Sequence, residues 1–284
     1  MANLVRWLFG WDHPNPALPY YGLDKKEIQR LAYLCQLIYS PEHETWTDTK
    51  PHRGISHLNR IISHRYCIEY DKHKKTQTIV VRGTDNFWDI LLDADLLKRP
   101  IQGSRVQEVA AHRGFLRAAS LVADDIKPYL KPKYKTIITG HSLGGAVAVL
   151  LCLILKEEEE GIKVSSVVTF GQPKVVNRKD GEKIASMIPL VRFVHSMDVV
   201  SALPPSMLGY DGHFGKEVWT SIDVEHLLYD RHRSTAHKGE EELDSGGSVM
   251  DIFRTRSLDA VRAHRMQMYV DALNNVKRVK REKK

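Results

Sequence analysis

Apolar residues recur every third or fourth position between Lys25 and Tyr39 (Ile28, Leu31, Ala32, Cys35, Ile38), the spacing of one buried helix face. Asp24 stands where an N-cap would, Glu27 follows three residues later in a capping-box arrangement, and Pro41 prevents continuation. Residues 66–71 and 76–82 read as two strands around the charged turn Lys72–Lys75, and residues Arg113–Leu130 as a helix. A regular alternation follows: strand 135–140, helix 143–155, strand 164–170, helix 180–188, strand 190–196. The strands Val164–Phe170 and Leu190–Val194 are dominated by apolar residues, as in sheets covered on both faces. This succession predicts an α/β fold with right-handed crossovers. The pattern weakens over 204–256, where a short strand at Lys216–Ser221 and loops are expected, and a last helix spans about Leu258 to Val276.

The junction of strand 135–140 with the following helix reads Gly140-His141-Ser142-Leu143-Gly144-Gly145. Glycines on both flanks allow a tight turn and a close approach of strand to helix without a clashing Cβ. Such a turn lifts a serine hydroxyl out of the fold and aims the first amides of the helix at whatever Ser142 attacks. Outside this context the stretch would be a Gly-rich turn with a capping serine.

A serine hydroxyl is a poor nucleophile at neutral pH, and it needs a base within hydrogen-bond reach and a carboxylate to orient that base. A Gly-x-Ser-x-Gly turn takes its acid and then its histidine from later in the chain. Asp198 lies just beyond the strand ending at Val194, at the sheet edge where ligands meet open α/β folds; Asp211, Asp223, Asp230 and Asp251 have no clear strand before them. The histidines after Asp198 are His213, His226, His232, His237 and His264. Only His264 sits in a strongly patterned element, with Val261, Met268 and Ala272 on the same helical face, so its ring is expected to point inward. His226 and His237 are the fallbacks. The developing oxyanion needs donors; the Leu143 amide is one, and Arg82-Gly83-Thr84, at the end of another strand, places Thr84 as the second.

The 284 residues are 42% hydrophobic and 27% charged, enough for a large core, and carry no linker, repeat or heptad pattern, so one domain over 1–284 is expected. Cys35, Cys67 and Cys152 sit in apolar segments and read as buried thiols rather than metal ligands or disulfides. Most of the +7 net charge lies in the tail 277–284, where six Lys and Arg face Glu282 alone, so the basic excess makes no groove for nucleic acid. No apolar stretch is long enough to span a bilayer, and the apolar, aromatic start (Leu4, Val5, Trp7, Leu8, Phe9, Trp11) is interrupted by Arg6 and Gly10 and lacks a cleavage site. The expected location is therefore cytoplasmic, or outside by a route without a signal peptide, with a peripheral foot on membranes as an alternative.

Between Val80 and His264 the chain resembles the class 3 (fungal-type) lipases. The resemblance rests on Arg82-Gly83-Thr84, Asn86-Phe87-Trp88-Asp89, Ala111-His112-Arg113-Gly114-Phe115, the Ser142 turn, Thr169-Phe170-Gly171-Gln172-Pro173, Asp198-Val199-Val200 with Pro204-Pro205, and His264 ahead of Tyr269-Val270. Val176 and Ala263 depart from the family pattern. The resemblance implies an α/β-hydrolase fold, a mostly parallel central sheet with helices on both faces and a short helical lid. It implies a Ser142–Asp198–His264 triad, an oxyanion hole of Thr84 and Leu143, and His112 as a structural residue. The lid would be residues 85–97: Asp85, Asp89 and Asp93 form an acidic stripe, while Phe87, Ile90, Leu91 and Ala94 share another face with Trp88 and Leu92 beside them. The expected activity is hydrolysis of acylglycerol esters through an acyl-enzyme, with a lipid ester as substrate, a lipid–water interface as partner and no metal or organic cofactor. Phospholipase or feruloyl-type esterase chemistry would use the same triad. A catalytically inactive, membrane-docking member of the fold is the reading of a different class.

Overall fold

The computed structural model describes residues 17–20, 22–40, 52–53, 59–62, 65–83, 97–102, 109–158, 161–195, 198–220 and 263–275. Thr84, the lid segment up to Leu96, and the tail 277–284 lie outside these residues, as do Asp223, Asp230, Asp251, His226, His232 and His237.

The chain opens with a two-stranded ribbon, β1 (Ala17–Tyr20) and β2 (Leu23–Asp24), leading into α1 (Lys25–Leu37). Strands β3 (His52–Arg53), β4 (Asn59–Ile62), β5 (Tyr66–Asp71) and β6 (Thr76–Val81) follow, then a second ribbon of β7 (Lys98–Pro100) and β8 (Ala110–His112). After these come α2 (Arg113–Ile126), β9 (Lys135–His141), α3 (Leu143–Glu158), β10 (Lys163–Phe170), α4 (Arg178–Ala185), β11 (Leu190–His195), β12 (Lys216–Thr220) and α5 (Met266–Asn275). Eight strands form one sheet in the order β12-β11-β10-β9-β6-β5-β4-β3. The five from β12 to β6 run parallel, and β5, β4 and β3 continue antiparallel.

Successive residues of each central strand serve opposite cores. Ile79, Val81, Ile138, Val167 and Leu190 face α2, α3 and α4, while Val80, Ile137, Val168, Val191 and Phe193 face α1 and α5. Helix α3 is buried from Ala146 to Leu155 because it lies between the sheet and α2, which explains its lack of a polar stripe. Among the described residues no helix is long and apolar enough to cross a membrane.

Sheet register aligns the strand ends. Val81 pairs with Gly140, His141 with Phe170, and Phe170 with Phe193, so β6, β9, β10 and β11 end in one row. The residues that leave those ends, Arg82-Gly83, Ser142, Gly171 and the segment reaching Asp198, therefore gather at the carboxyl edge of the sheet.

Several element boundaries differ from the sequence expectation for identifiable reasons. Asp24 caps α1 by accepting from the Glu27 amide at 2.7 Å, but the Glu27 carboxylate binds Arg30 instead of closing the capping box. Helix α2 stops at Ile126 because Pro128 lacks the amide for another α-helical bond, and Lys127–Tyr129 tightens to a 3-10 turn. Helix α4 starts two residues early, at Arg178, because the Asn177 side chain accepts from the Asp180 amide at 2.6 Å and caps it.

The last helix requires the largest correction. His264 does not lie within it; α5 starts at Met266 and His264 occupies the turn before. A ring nitrogen of His141 donates to the His264 carbonyl at 2.6 Å, and the Met268 amide bonds to the Arg265 carbonyl. The inward face of α5 is Met266, Tyr269, Ala272 and Leu273 rather than a row containing His264 and Met268.

Candidate active site

Ser142 sits between β9 and α3 with φ of +58°, a left-handed conformation that costs a non-glycine residue about 1–2 kcal/mol. Its surroundings hold it there: the Ser142 amide donates to Phe170 O at 3.0 Å, and the amides of Gly145 and Ala146 return to the Ser142 carbonyl. The glycines permit the crossing. A Cβ on Gly144 would strike the Val81 carbonyl at the end of β6, and one on Gly140 would strike the Gly144 backbone. The Ser142 hydroxyl is buried and has no hydrogen-bond partner among the described residues, an expensive state for an idle side chain. Leu143 opens α3, so its amide has no intrahelical acceptor.

Asp198 begins a 3-10 turn (Val199–Ala202) and is 1% exposed. Its Oδ1 accepts from the Val200 amide at 2.9 Å. Oδ2 faces His264 Nδ1 at 2.8 Å and accepts the Tyr269 hydroxyl at 2.6 Å. The phenol oxygen in turn accepts from the His195 amide at 3.0 Å, which points its proton at Asp198. Burial pushes the Asp198 carboxyl up, but His264, Tyr269 and the Val200 amide outweigh it and hold the group below the usual carboxylate range. The same proximity, after burial, drives the Tyr269 phenol well above its ordinary value. A buried carboxylate with three donors is a fixed anion that orients an imidazole through Nδ1 and leaves Nε2 for proton transfer.

Of the rivals within the described residues, Asp211 accepts from the Arg178 amide at the start of α4, and His213 donates to Ser201 O at 2.5 Å. Neither joins Asp198. His112 caps α2 through Nδ1 and stacks on Phe115 at 4.0 Å between ring centroids. Leu97 is the described residue of the lid segment and is exposed.

Two further residues, Tyr269 and Gly171, lie against the Asp198–His264 pair. Both belong to stretches that carry the resemblance, and the place of Tyr269 five residues after His264 is a geometric hint. Gly171 leaves β10 with φ of +57°, and a Cβ there would lie 2.6 Å from Asp198 Oδ2 and 3.1 Å from His264 Cε1. The acid–imidazole pair thus occupies space that only glycine leaves open.

The Lipase (class 3) family model matches residues 78–208, the segment holding the strand end at Gly83, the Ser142 turn and Asp198. A lipase of Rhizomucor miehei is 36% identical over 157 residues, 51% of this chain and 42% of the relative. This chain spans about two fifths of the length of the first curated relatives it matches. The crystal structure of a lipase from Rhizopus microsporus var. chinensis superposes with a TM-score of 0.56 at 28% identity, over 69% of this chain and 74% of that one. A triacylglycerol lipase whose catalytic centre is formed by a serine protease triad superposes with a TM-score of 0.50 at 29% identity, over 70% of this chain and 82% of that one. The mostly parallel sheet with helices on both faces is the α/β-hydrolase fold of these enzymes. From its strand ends to the turn that carries Asp198, this chain is similar to the class 3 lipases.

Proposed function

We propose that the protein is a serine ester hydrolase that cleaves acylglycerol esters with Ser142 as nucleophile, His264 as base and Asp198 as the orienting acid. The observation that carries this reading is the 2.8 Å bond between His264 and buried Asp198 at the sheet edge where the strained turn raises Ser142. The relatives named above are lipases, and one of them has its catalytic centre built from such a triad.

In this reading the Ser142 oxygen bonds to the ester carbonyl carbon as its proton passes to His264 Nε2. Asp198 stabilises the imidazolium through Nδ1, and the oxyanion takes the Leu143 amide and donors of Thr84. The tetrahedral intermediate collapses, its bond to the alcohol oxygen breaks, and His264 returns the proton to that oxygen. Water then repeats the sequence against the acyl-enzyme, releasing the fatty acid and restoring Ser142. Residues 85–97 form the lid, whose apolar residues Phe87, Trp88, Leu91 and Leu92 cover the site in water and turn to lipid at an interface.

The test is a chain-length series of nitrophenyl esters together with emulsified triacylglycerol. The wild type should hydrolyse both, and Ser142→Ala should hydrolyse neither. Equal rates in the two proteins would overturn the reading.

A further inference from the structure

His141, the residue before Ser142, is 6% exposed, and the chemistry above does not use its ring. Its Nε2 lies 2.6 Å from the carbonyl of His264, and its Nδ1 lies 3.2 Å from the hydroxyl of Tyr39. That hydroxyl accepts the backbone amide of Gly83 at 3.0 Å. The rings of His141 and His264 stack at 4.7 Å between centroids and 29° between planes.

The proton positions follow by elimination. The His264 carbonyl can only accept, so His141 Nε2 carries the proton. Burial, followed by the proximity of His264, lowers the His141 pKa to about 3, so the ring is neutral and has one N–H. Nδ1 is then an acceptor, and Tyr39 must donate to it. The result is a directed chain: Gly83 N–H to Tyr39 oxygen, Tyr39 O–H to His141 Nδ1, His141 Nε2–H to His264 C=O.

We infer that His141 and Tyr39 are positioning residues that clamp the base-bearing turn at His264 and the strand end at Gly83 onto the Ser142 turn. Four chain segments far apart in sequence meet in this chain, and three of them, at Gly83, His141 and His264, each lead to one part of the machinery. His264 precedes α5, and the bond from His141 to its carbonyl ties that turn to the residue before Ser142. Gly83 immediately precedes Thr84, so the Tyr39 hydroxyl sets the backbone from which the second oxyanion donor departs. Tyr39 reaches it because α1 ends at Leu37, and Arg82 lies over its ring at 5.6 Å. The inference rests on the proposed triad.

A clamp of this kind acts on geometry in the transition state, and small misplacements cost up to ~100-fold in rate. The experiment is steady-state kinetics on a soluble nitrophenyl ester for the full chain and for His141→Leu, His141→Gln, Tyr39→Phe and the His141→Leu/Tyr39→Phe pair, with thermal unfolding of each. His141→Leu should lower kcat by ~10–100-fold with KM within ~2-fold. His141→Gln can still donate to the His264 carbonyl and should recover most of that loss. Tyr39→Phe should lower kcat by ~5–20-fold, and the pair should be no worse than His141→Leu, since both act through one chain. Wild-type kcat in Tyr39→Phe, losses that multiply in the pair, or a rise in KM alone would each overturn the inference. If His141→Leu does not fold, His141→Gln and Tyr39→Phe carry the test alone. Active wild type with wild-type variants removes only the clamp; a wild type that neither hydrolyses esters nor reacts with a fluorophosphonate removes the triad reading and the clamp with it.

Discussion

Tyr269 donates its hydroxyl at 2.6 Å to the same oxygen of Asp198 that faces His264 Nδ1. The imidazole therefore leans on a carboxylate held from a second direction by α5, which also packs against α1. Removing the phenol oxygen leaves the charge buried with one fewer donor. Tyr269→Phe should lower kcat by ~10–100-fold with little change in KM, on the basis of about 1.5–3 kcal/mol for a hydrogen bond to a charged group. Its second signature is in acid. Asp198 is held below the ordinary carboxylate range, so its contribution to stability is full above the unfolded value and is lost as pH falls through the folded one. Tyr269→Phe raises the folded value, so acid unfolding should begin at a higher pH in urea titrations.

Gly171 gives an independent probe of the same pair. Gly171→Ala places a methyl 2.6 Å from Asp198 Oδ2 and forces a side chain into a backbone of φ +57°. The strain is worth about 1–2 kcal/mol of stability, read from the urea midpoint. The displaced pair should cost ~100-fold in kcat. A variant with wild-type kcat would show that the space opposite Asp198 is not needed.

Three buried histidines, with the half-buried His213, should make the fold acid-sensitive. Burial is the main cause lowering His112 to about 4 and His141 to about 3, and it also lowers His195 and His213. Below about pH 6.5 the unfolded chain binds protons at His112 and His141 while the folded chain does not. Stability is therefore full above pH 6.5 and declines as pH falls toward 4, by about 1.4 kcal/mol per pH unit for each such group. His112→Asn keeps a capping acceptor at the start of α2 and removes one titrating group, so its stability curve should be shallower by about one proton between pH 4 and 6.5. An unchanged slope would count against a neutral His112.

The lid reading makes a separate claim. Replacing Trp88 and Leu91 with Ser should reduce hydrolysis of emulsified esters by ~5–50-fold and leave soluble esters within ~2-fold, because the lost apolar area matters only where lipid covers it. An equal loss on both substrates would remove the lid.

Much of this fold was legible in the sequence because its signals are local. The apolar runs of β9, β10 and β11, the period of α1 and the glycines flanking Ser142 each report on their own neighbourhood. Asp198 could be read as the residue beyond a strand end for the same reason. The path into α5 could not. Its helical period runs on through His264 in the sequence, whereas the structure has a turn there whose carbonyl meets His141, 123 residues away. The contacts of Tyr269, Gly171 and Tyr39 are likewise made across the sheet edge and leave no spacing pattern in the chain.

The central claim is that the hydroxyl of Ser142 is made nucleophilic by the His264–Asp198 pair. Stoichiometric reaction with a fluorophosphonate, followed by peptide mass mapping, tests it most directly. The account predicts one adduct per chain, located on Ser142, absent in Ser142→Ala and slowed by at least ~100-fold in folded His264→Ala. An adduct on another residue, or labelling of His264→Ala at the wild-type rate, would contradict it.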